Sequence, residues 1–525
     1  MELTSTTEKS EKETARQSWR RRALKIVLWI AAVPVALAVL LTIYFYIGGI
    51  EWGDWTIPNE TELRLELRDV PDEENAYLAL RALTNLYHVA ESDGSNKEIS
   101  DKTFVSQYKD PFFSEGDEES FAEWTAIRSA PSSPKRATRI LTDNEEFLKG
   151  LRAALLLKGY AEVDKRMEDA KRKVEGWSPW TSRLPLYKPF IEFSQLVALR
   201  AQVALERGDV KSAVPAIGEI HALGQLLKVN NEALVVWLVG ASIEKISFRK
   251  MCDVVAMGKA TDENIERFSK MVAVSEANAP MAWERGLKAE SMRHLEGVEW
   301  ICNLKSADEM WREVYCAKSG ELSGDHRPPP PLLYRLIFGW PGLFRFAFHR
   351  REMLYRQAML DRAMLAGDDD LMEMILGEMP RNPLRPNFFG NVEAVGPILS
   401  PYVKADRLDR LRPRLVLATE KWRRVHSGEN PPTLDALVPD YLAAVPRDPW
   451  SKSGEPIKYD AALGVAWSVG KDGTYDFRKI AKDNAAGSKA SVDADTQKYA
   501  FSLDGKPISA LPEPVGANDQ SQAAR

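Results

Sequence analysis

The chain has 525 residues, with 71 Lys+Arg against 76 Asp+Glu and a formal net charge of −5. At ~100–200 residues per domain, that length holds two or three folded units. Its 44% hydrophobic content is enough for buried cores. The near-neutral balance excludes a strongly basic nucleic-acid binder, and cysteines at only 252, 302 and 316 exclude a disulfide framework.

Residues 1–22 are polar and read as a disordered tail. From Ile26 to Ile47 no residue is charged. The run is long enough, at ~33 Å as a helix, to cross a ~30 Å hydrocarbon core. It exceeds the ~7–15-residue core of a cleaved signal peptide, and no A-x-A site follows. Trp29, Tyr44, Tyr46, Trp52 and Trp55 stand at or near its ends, as interfacial aromatics do. Arg20, Arg21, Arg22 and Lys25 precede it, whereas Glu51–Glu74 carries nine acids and two bases. The positive-inside rule then keeps the tail cytoplasmic and exports the rest, an expectation of a single-pass inner-membrane protein with a periplasmic bulk.

The next segment, 58–400, reads as a helical extracytoplasmic domain. A helix is expected to start at Pro71-Asp72-Glu73-Glu74, with Asp72 as cap and Ala76, Leu80, Leu83 and Tyr87 as its stripe. A polar loop is expected over 92–120. Phe193, Val197, Ala201 and Ala204 mark one helix, Gly208-Asp209 stops it, and Val214, Ile217, Gly224 and Leu227 mark the next. This helix–Gly-Asp–helix pattern is similar to a tetratricopeptide hairpin, and Ala363–Ile375 has the same look. Without a fixed period, plain antiparallel packing is the leading interpretation. The apolar run Ala233–Ile243 is too short for a second span and reads as a buried helix. Residues 377–401 carry several prolines and read as a linker.

The search for chemistry returns little. HExxH, GxSxG, Walker A, dinucleotide-glycine and CxxC patterns are absent from the sequence. The six histidines are scattered, and His221 shares a face with Ile217 and Gly224 as a packing residue would. Ser132–Lys135 and Ser242–Lys245 match Ser-x-x-Lys, the first interrupted by Pro134 and the second without companion motifs. Glu290, His294, Glu296 and Glu299 read as a charged helix face. Cys302 and Cys316 lie fourteen positions apart. They are a disulfide candidate only if the chain turns near Ser306-Ala307-Asp308, since one unbroken helix would hold them ~21 Å apart.

The C-terminal unit, 401–479, begins with a helix running to about Val425. A short helix at Thr433–Ala443 follows, with Leu434, Leu437, Val438 and Leu442 inward, then strands at Ile457–Tyr459 and Val465–Val469. Residues 480–525 read as a disordered tail. Leu434, Leu437, Pro439, Tyr441 and Leu442, with Asp448-Pro449-Trp450 and Ser468-Val469-Gly470-Lys471-Asp472-Gly473, form a pattern. It resembles the C-terminal domain of the type II secretion major pseudopilin. That resemblance implies a small α+β fold and a calcium-binding loop with Asp472 and Asp476 as metal ligands, helped by a backbone carbonyl such as Val469 or Gly470. Calcium is thus the one cofactor implied. Arg22-Ala23-Leu24-Lys25 departs from the pseudopilin processing site, so the resemblance stops at the C-terminal unit. The whole layout resembles a group of large single-pass bacterial envelope proteins without an assigned activity.

The fold expectation is therefore mainly α, comprising a transmembrane helix, a helical-hairpin ectodomain and a small α+β unit. The functional expectation is a membrane-anchored scaffold or protein-interaction protein with no catalytic residues named. It has a membrane and a protein as partners and no nucleic acid. The alternatives are an accessory part of a secretion or pilus-like machine, and an envelope enzyme whose acids converge from distant helices.

Overall fold

The computed structural model describes residues 19, 70–83, 134–162, 188–303, 390–471, 473–477 and 499–506. The chain divides into two compact units, Met1–Glu62 with Leu295–Ala358, and Leu63–His294 with Met359–Arg525. The second contains nearly all the described residues and is mainly helical with a small sheet. The expected span at 26–47, the loop at 92–120 and the second hairpin at 363–375 lie outside the described residues. Among the described residues no helix is long and apolar enough to cross a membrane.

Helix α1 spans Ala76–Leu83 and buries Ala76, Tyr77, Leu80 and Leu83. It starts later than expected, because Asp72–Glu74 forms a 3-10 turn. The cap is Asn75, not Asp72: its Oδ1 accepts from the Tyr77 amide at 3.0 Å and the Ala161 amide at 3.1 Å. Its Nδ2 donates to the Ala161 carbonyl at 2.9 Å. This buried asparagine, satisfied on three sides, both ties two distant stretches together and starts the helix. Helices α2 (Pro134–Asp143) and α3 (Glu145–Leu155) follow, and Phe147 of α3 meets Phe193 edge-on at 4.6 Å.

The body is made of α4 (Lys188–Glu206), α5 (Val210–Val229) and α6 (Leu234–Ala256). The stop between α4 and α5 is where the sequence placed it. Gly208 has φ 73°, and Asp209 caps α5 by accepting from the Ser212 amide at 3.1 Å. The expected stripes of both helices are buried in one core with Phe248, Met251 and Val254 of α6. The apolar run at Ala233–Ile243 is the buried first half of α6. Helix α7, Asp262–Asn303, lays Ile265, Phe268 and Val272 on this core.

Helix α8, Gly390–Val425, corrects two expectations. Residues 390–401 are helical rather than linker, despite Pro397 and Pro401, and the boundary expected between 400 and 401 falls inside one helix. An interior proline costs about 3 kcal/mol. Burial of α8 on two faces offsets that. Val416 and Leu417 enter the core of α4–α6, while Leu408, Leu411, Leu415 and Ala418 form the floor of the C-terminal core. The helix is a spine shared by both.

Over that floor sit a 3-10 turn at Leu434–Leu437 and a sheet of β1 (Lys458–Asp460), β2 (Val465–Trp467) and β3 (Ala500–Ser502). The short helix expected over Thr433–Ala443 is shorter than anticipated, although Leu434, Leu437 and Leu442 point inward. The sheet is antiparallel in the order β1-β2-β3, with Tyr459 opposite Ala466 and Ala466 opposite Phe501. Strand β3 overturns the expectation of disorder from 480, at least for residues 499–506. Tyr499, Ala500, Phe501 and Leu503 are buried, and without β3 the inner edge of β2 would be open.

Candidate functional site

The most unusual chemistry in the described residues lies inside the helical body, where α5, α6 and α8 meet. Helices α5 and α6 cross at Gly224 and Gly240. A Cβ on Gly240 would stand 2.8 Å from both the Gly224 carbonyl oxygen and the Lys228 amide nitrogen. One on Gly224 would stand 2.9 Å from the Glu244 amide nitrogen. Two glycines thus permit a backbone approach that any side chain would block. One turn beyond each glycine, the chain places Lys228 and Glu244 face to face.

Lys228 Nζ donates to Glu244 Oε2 at 2.6 Å and to Asp406 Oδ1 at 3.0 Å. Asp406 Oδ2 accepts from Arg410 Nη1 at 2.5 Å, one turn along α8. Lys228 and Glu244 are 1% and 0% exposed, Asp406 and Arg410 7% and 8%. Two cations and two carboxylates make a neutral chain of charges, the arrangement that lets buried ions persist. Glu244 Oε1 accepts from Gln225 Nε2 at 2.5 Å, and Gln225 Oε1 in turn accepts from Asn278 Nδ2 of α7 at 2.9 Å. Lys228 Nζ also lies 5.8 Å from the Trp237 ring centroid. Asn231 Nδ2 donates to the Ala282 carbonyl at 2.8 Å, and Arg285 Nε donates to the Asn231 carbonyl at 2.9 Å, so α7 is also tied to the turn between α5 and α6.

Burial pushes the Glu244 carboxyl up. The charge of Lys228, the weaker pull of His221 and the hydroxyl of Ser275 alongside together outweigh that push, holding it below its ordinary value. His221 Nδ1 lies 3.5 Å from Glu244 Oε1. Burial pulls the imidazole below its ordinary value, the nearby Glu244 raises it and Lys228 lowers it further. His221 also packs against the Phe248 ring, so it combines the packing role expected of it with a polar neighbour. The chemistry available here is charge pairing that locks helices together; the network's ions are held by each other.

Ser242 and Lys245 do not form a nucleophile–base pair. The Ser242 hydroxyl donates to the Leu238 carbonyl at 2.9 Å, and Lys245 pairs with Asp409 at 2.7 Å. Ser132 and the side chains of Lys135, Glu290, His294, Glu296 and Glu299 lie outside the described residues, as does the Cys302–Cys316 pairing. Asp472 is likewise outside them, and Asp476 is exposed. Among the described residues no cluster of three His, Cys, Asp or Glu side chains is placed to hold a metal. Buried Cys252 has its thiol pushed up to about 12 by burial.

The motif pieces of the C-terminal unit do converge. Asp448 is buried, and its Oδ1 accepts from the Trp450 amide at 2.9 Å and the Ser468 hydroxyl at 2.6 Å. Its Oδ2 accepts from the Val469 amide at 2.7 Å. One carboxylate therefore joins Asp-Pro-Trp to Ser-Val-Gly. Sequence reading missed Lys228, Gln225, Glu244, Asp406 and Arg410. A signal was present: Trp237, Gly240, Glu244, Ser247 and Met251 share one buried helical stripe, and a lone acid in such a stripe demands a cation. Comparison with protein-family models, with curated proteins and with solved structures finds no match.

Proposed function

We propose that the chain is a non-catalytic scaffold of a bacterial envelope, anchored in the inner membrane through 26–47 and carrying its folded bulk on the periplasmic side. The observation that carries this reading is the sealed charge network. Lys228, Glu244, Asp406 and Arg410 are engaged with one another, joining α5, α6 and α8 and, through Gln225 and Asn278, α7, rather than converging on a substrate. The uncharged 26–47 run with its basic flank supports the anchor. Anchoring raises the effective concentration of a scaffold at the envelope.

A second reading, an accessory part of a secretion or pilus-like machine, is favoured by the Asp448 joint. It uses the same Asp-Pro-Trp and Ser-Val-Gly pieces that carry the pseudopilin resemblance. Protease added to intact spheroplasts tests the topology, and affinity purification of the detergent-solubilised chain tests the role. The scaffold reading expects digestion of the bulk, a protected N-terminal fragment and a stoichiometric envelope protein. Secretion-machine components among the co-purified proteins would favour the second reading. A bulk that resists protease until lysis would contradict both.

A further inference from the structure

Helix α7 buries one face against the body and leaves another bare. Val274 and Met281 are 50% and 49% exposed, and Ala273 beside them and Ala277 and Pro280 between them are exposed as well. The positions 266, 270, 273, 274, 277, 280, 281, 284 and 288 recur at three- and four-residue steps and form one stripe. Its centre is small and apolar. Its ends are charged: Glu266 and Lys270 toward the N-terminus, Glu284 and Lys288 toward the C-terminus. They pair within the helix and with Lys421, at 3.8 Å for Lys270–Glu266, 2.8 Å for Lys288–Glu284 and 3.4 Å for Lys421–Glu266, on a solvent-facing surface where such pairs exchange partners at little cost.

The order of charges matters. Reversing the stripe about Ala277 places Lys270 opposite Glu284 and Glu266 opposite Lys288, each twice by symmetry. A parallel pairing in register would instead put each charge opposite its own kind. We propose that this face of α7 is a self-association surface, on which a second copy of the chain packs its own α7 antiparallel about a two-fold axis at Ala277. An isologous contact of this kind is the commonest route to a homodimer. The small residues at the axis let two helices approach to ~8 Å, the tight end of the usual range. The charged ends set direction rather than strength.

Twenty-three residues at ~1.5 Å rise and ~10 Å width give a footprint of about 350 Å² per copy. That is well below the ~800 Å² per partner of a standard interface. The dimer is therefore weak in solution and forms only toward the high end of a concentration series. The inference does not depend on the scaffold reading, since it is read out by mass and cross-linking and not by partner or location.

The test is analytical ultracentrifugation of the full chain in detergent over a concentration series. The wild type is expected to pass from monomer to dimer, K270E to weaken the dimer by about tenfold, and K270E/E284K to restore it. In a C302S/C316S background, Ala277→Cys sits on the axis and is expected to cross-link to its own copy on mild oxidation, while exposed Lys211→Cys does not. Four results would overturn the proposal: a single monomer mass throughout, a dimer indifferent to K270E, a double swap that fails to restore it, or cross-linking at 277 no faster than at 211.

Discussion

Replacing Lys228 by Met is the most informative single change to the interior. The methionine fills the volume but removes both charge-assisted bonds, 2.6 Å to Glu244 and 3.0 Å to Asp406. Asp406 keeps Arg410 at 2.5 Å, so it is still paired. Glu244 keeps the Gln225 amide, the Ser275 hydroxyl and His221 at 3.5 Å, but no full cation, and is fully buried. Breaking a buried pair by deleting one partner costs about 3–5 kcal/mol, because a charge is left without compensation. At ~2–4 °C per kcal/mol, the expected drop in melting temperature is about 10 °C. The assay is urea and thermal unfolding followed by circular dichroism. Adding Glu244→Gln to Lys228→Met should recover at least half the loss, since the amide carries no charge. The pH dependence has a definite sign. In the wild type Glu244 sits below its ordinary value, so its contribution is complete above about pH 4.5 and is lost as pH falls through the folded value. Without Lys228 that carboxyl rises, so the gap between wild type and variant should narrow from pH 8 to pH 5. A loss under about 1 kcal/mol, or a second substitution that simply adds to the first, would refute the reasoning.

Gly240→Ala should cost about 2 kcal/mol in urea midpoints by overpacking the glycine crossing, since the added methyl meets backbone of α5 at 2.8 Å. Asp448→Ala should cost about 3 kcal/mol by the same measurement, orphaning the Trp450 and Val469 amides and the Ser468 hydroxyl at once. His221 titrates below its ordinary value of 6.5 in the folded chain, so the unfolded state takes up the proton first and the wild type loses stability as pH falls below about 6.5. His221→Leu lacks that loss, so midpoints compared at pH 7.5 and 5.5 should shift in its favour at the lower pH. Cys252 is buried with its thiol pushed up to about 12, so mass-mapped alkylation at pH 8 should spare it in the folded chain and modify it in urea.

Much of the helical body was legible because its cues are local. The stripe Phe193–Val197–Ala201–Ala204, the Gly208-Asp209 stop and the stripe through Ile217 and Leu227 are all present as read. The strands around 458–460 and 465–467 were legible from alternation. What escaped depended on contacts far apart in sequence. Proline-rich 390–401 reads as linker by local propensity, yet it is the start of a helix stabilised by burial on two sides further along. Strand β3 is three residues in a polar tail, and only its pairing with β2 across 35 positions makes Phe501 a core residue. The charge network joins Lys228 to Asp406 across 178 positions, which no motif encodes. Asn75 likewise caps α1 only because Ala161 lies against it.

The central structural claim is that α8 binds the helical body and the C-terminal sheet into one cooperative unit, held by the Glu244–Lys228–Asp406–Arg410 chain. Hydrogen exchange read by mass spectrometry in increasing sub-denaturing urea tests it most directly. The account predicts that amides of α5, α6, α8 and β1–β3 merge into one opening with a common urea dependence, and that Lys228→Met lowers its free energy everywhere together. Strands that exchange through a separate opening untouched by Lys228→Met would contradict it.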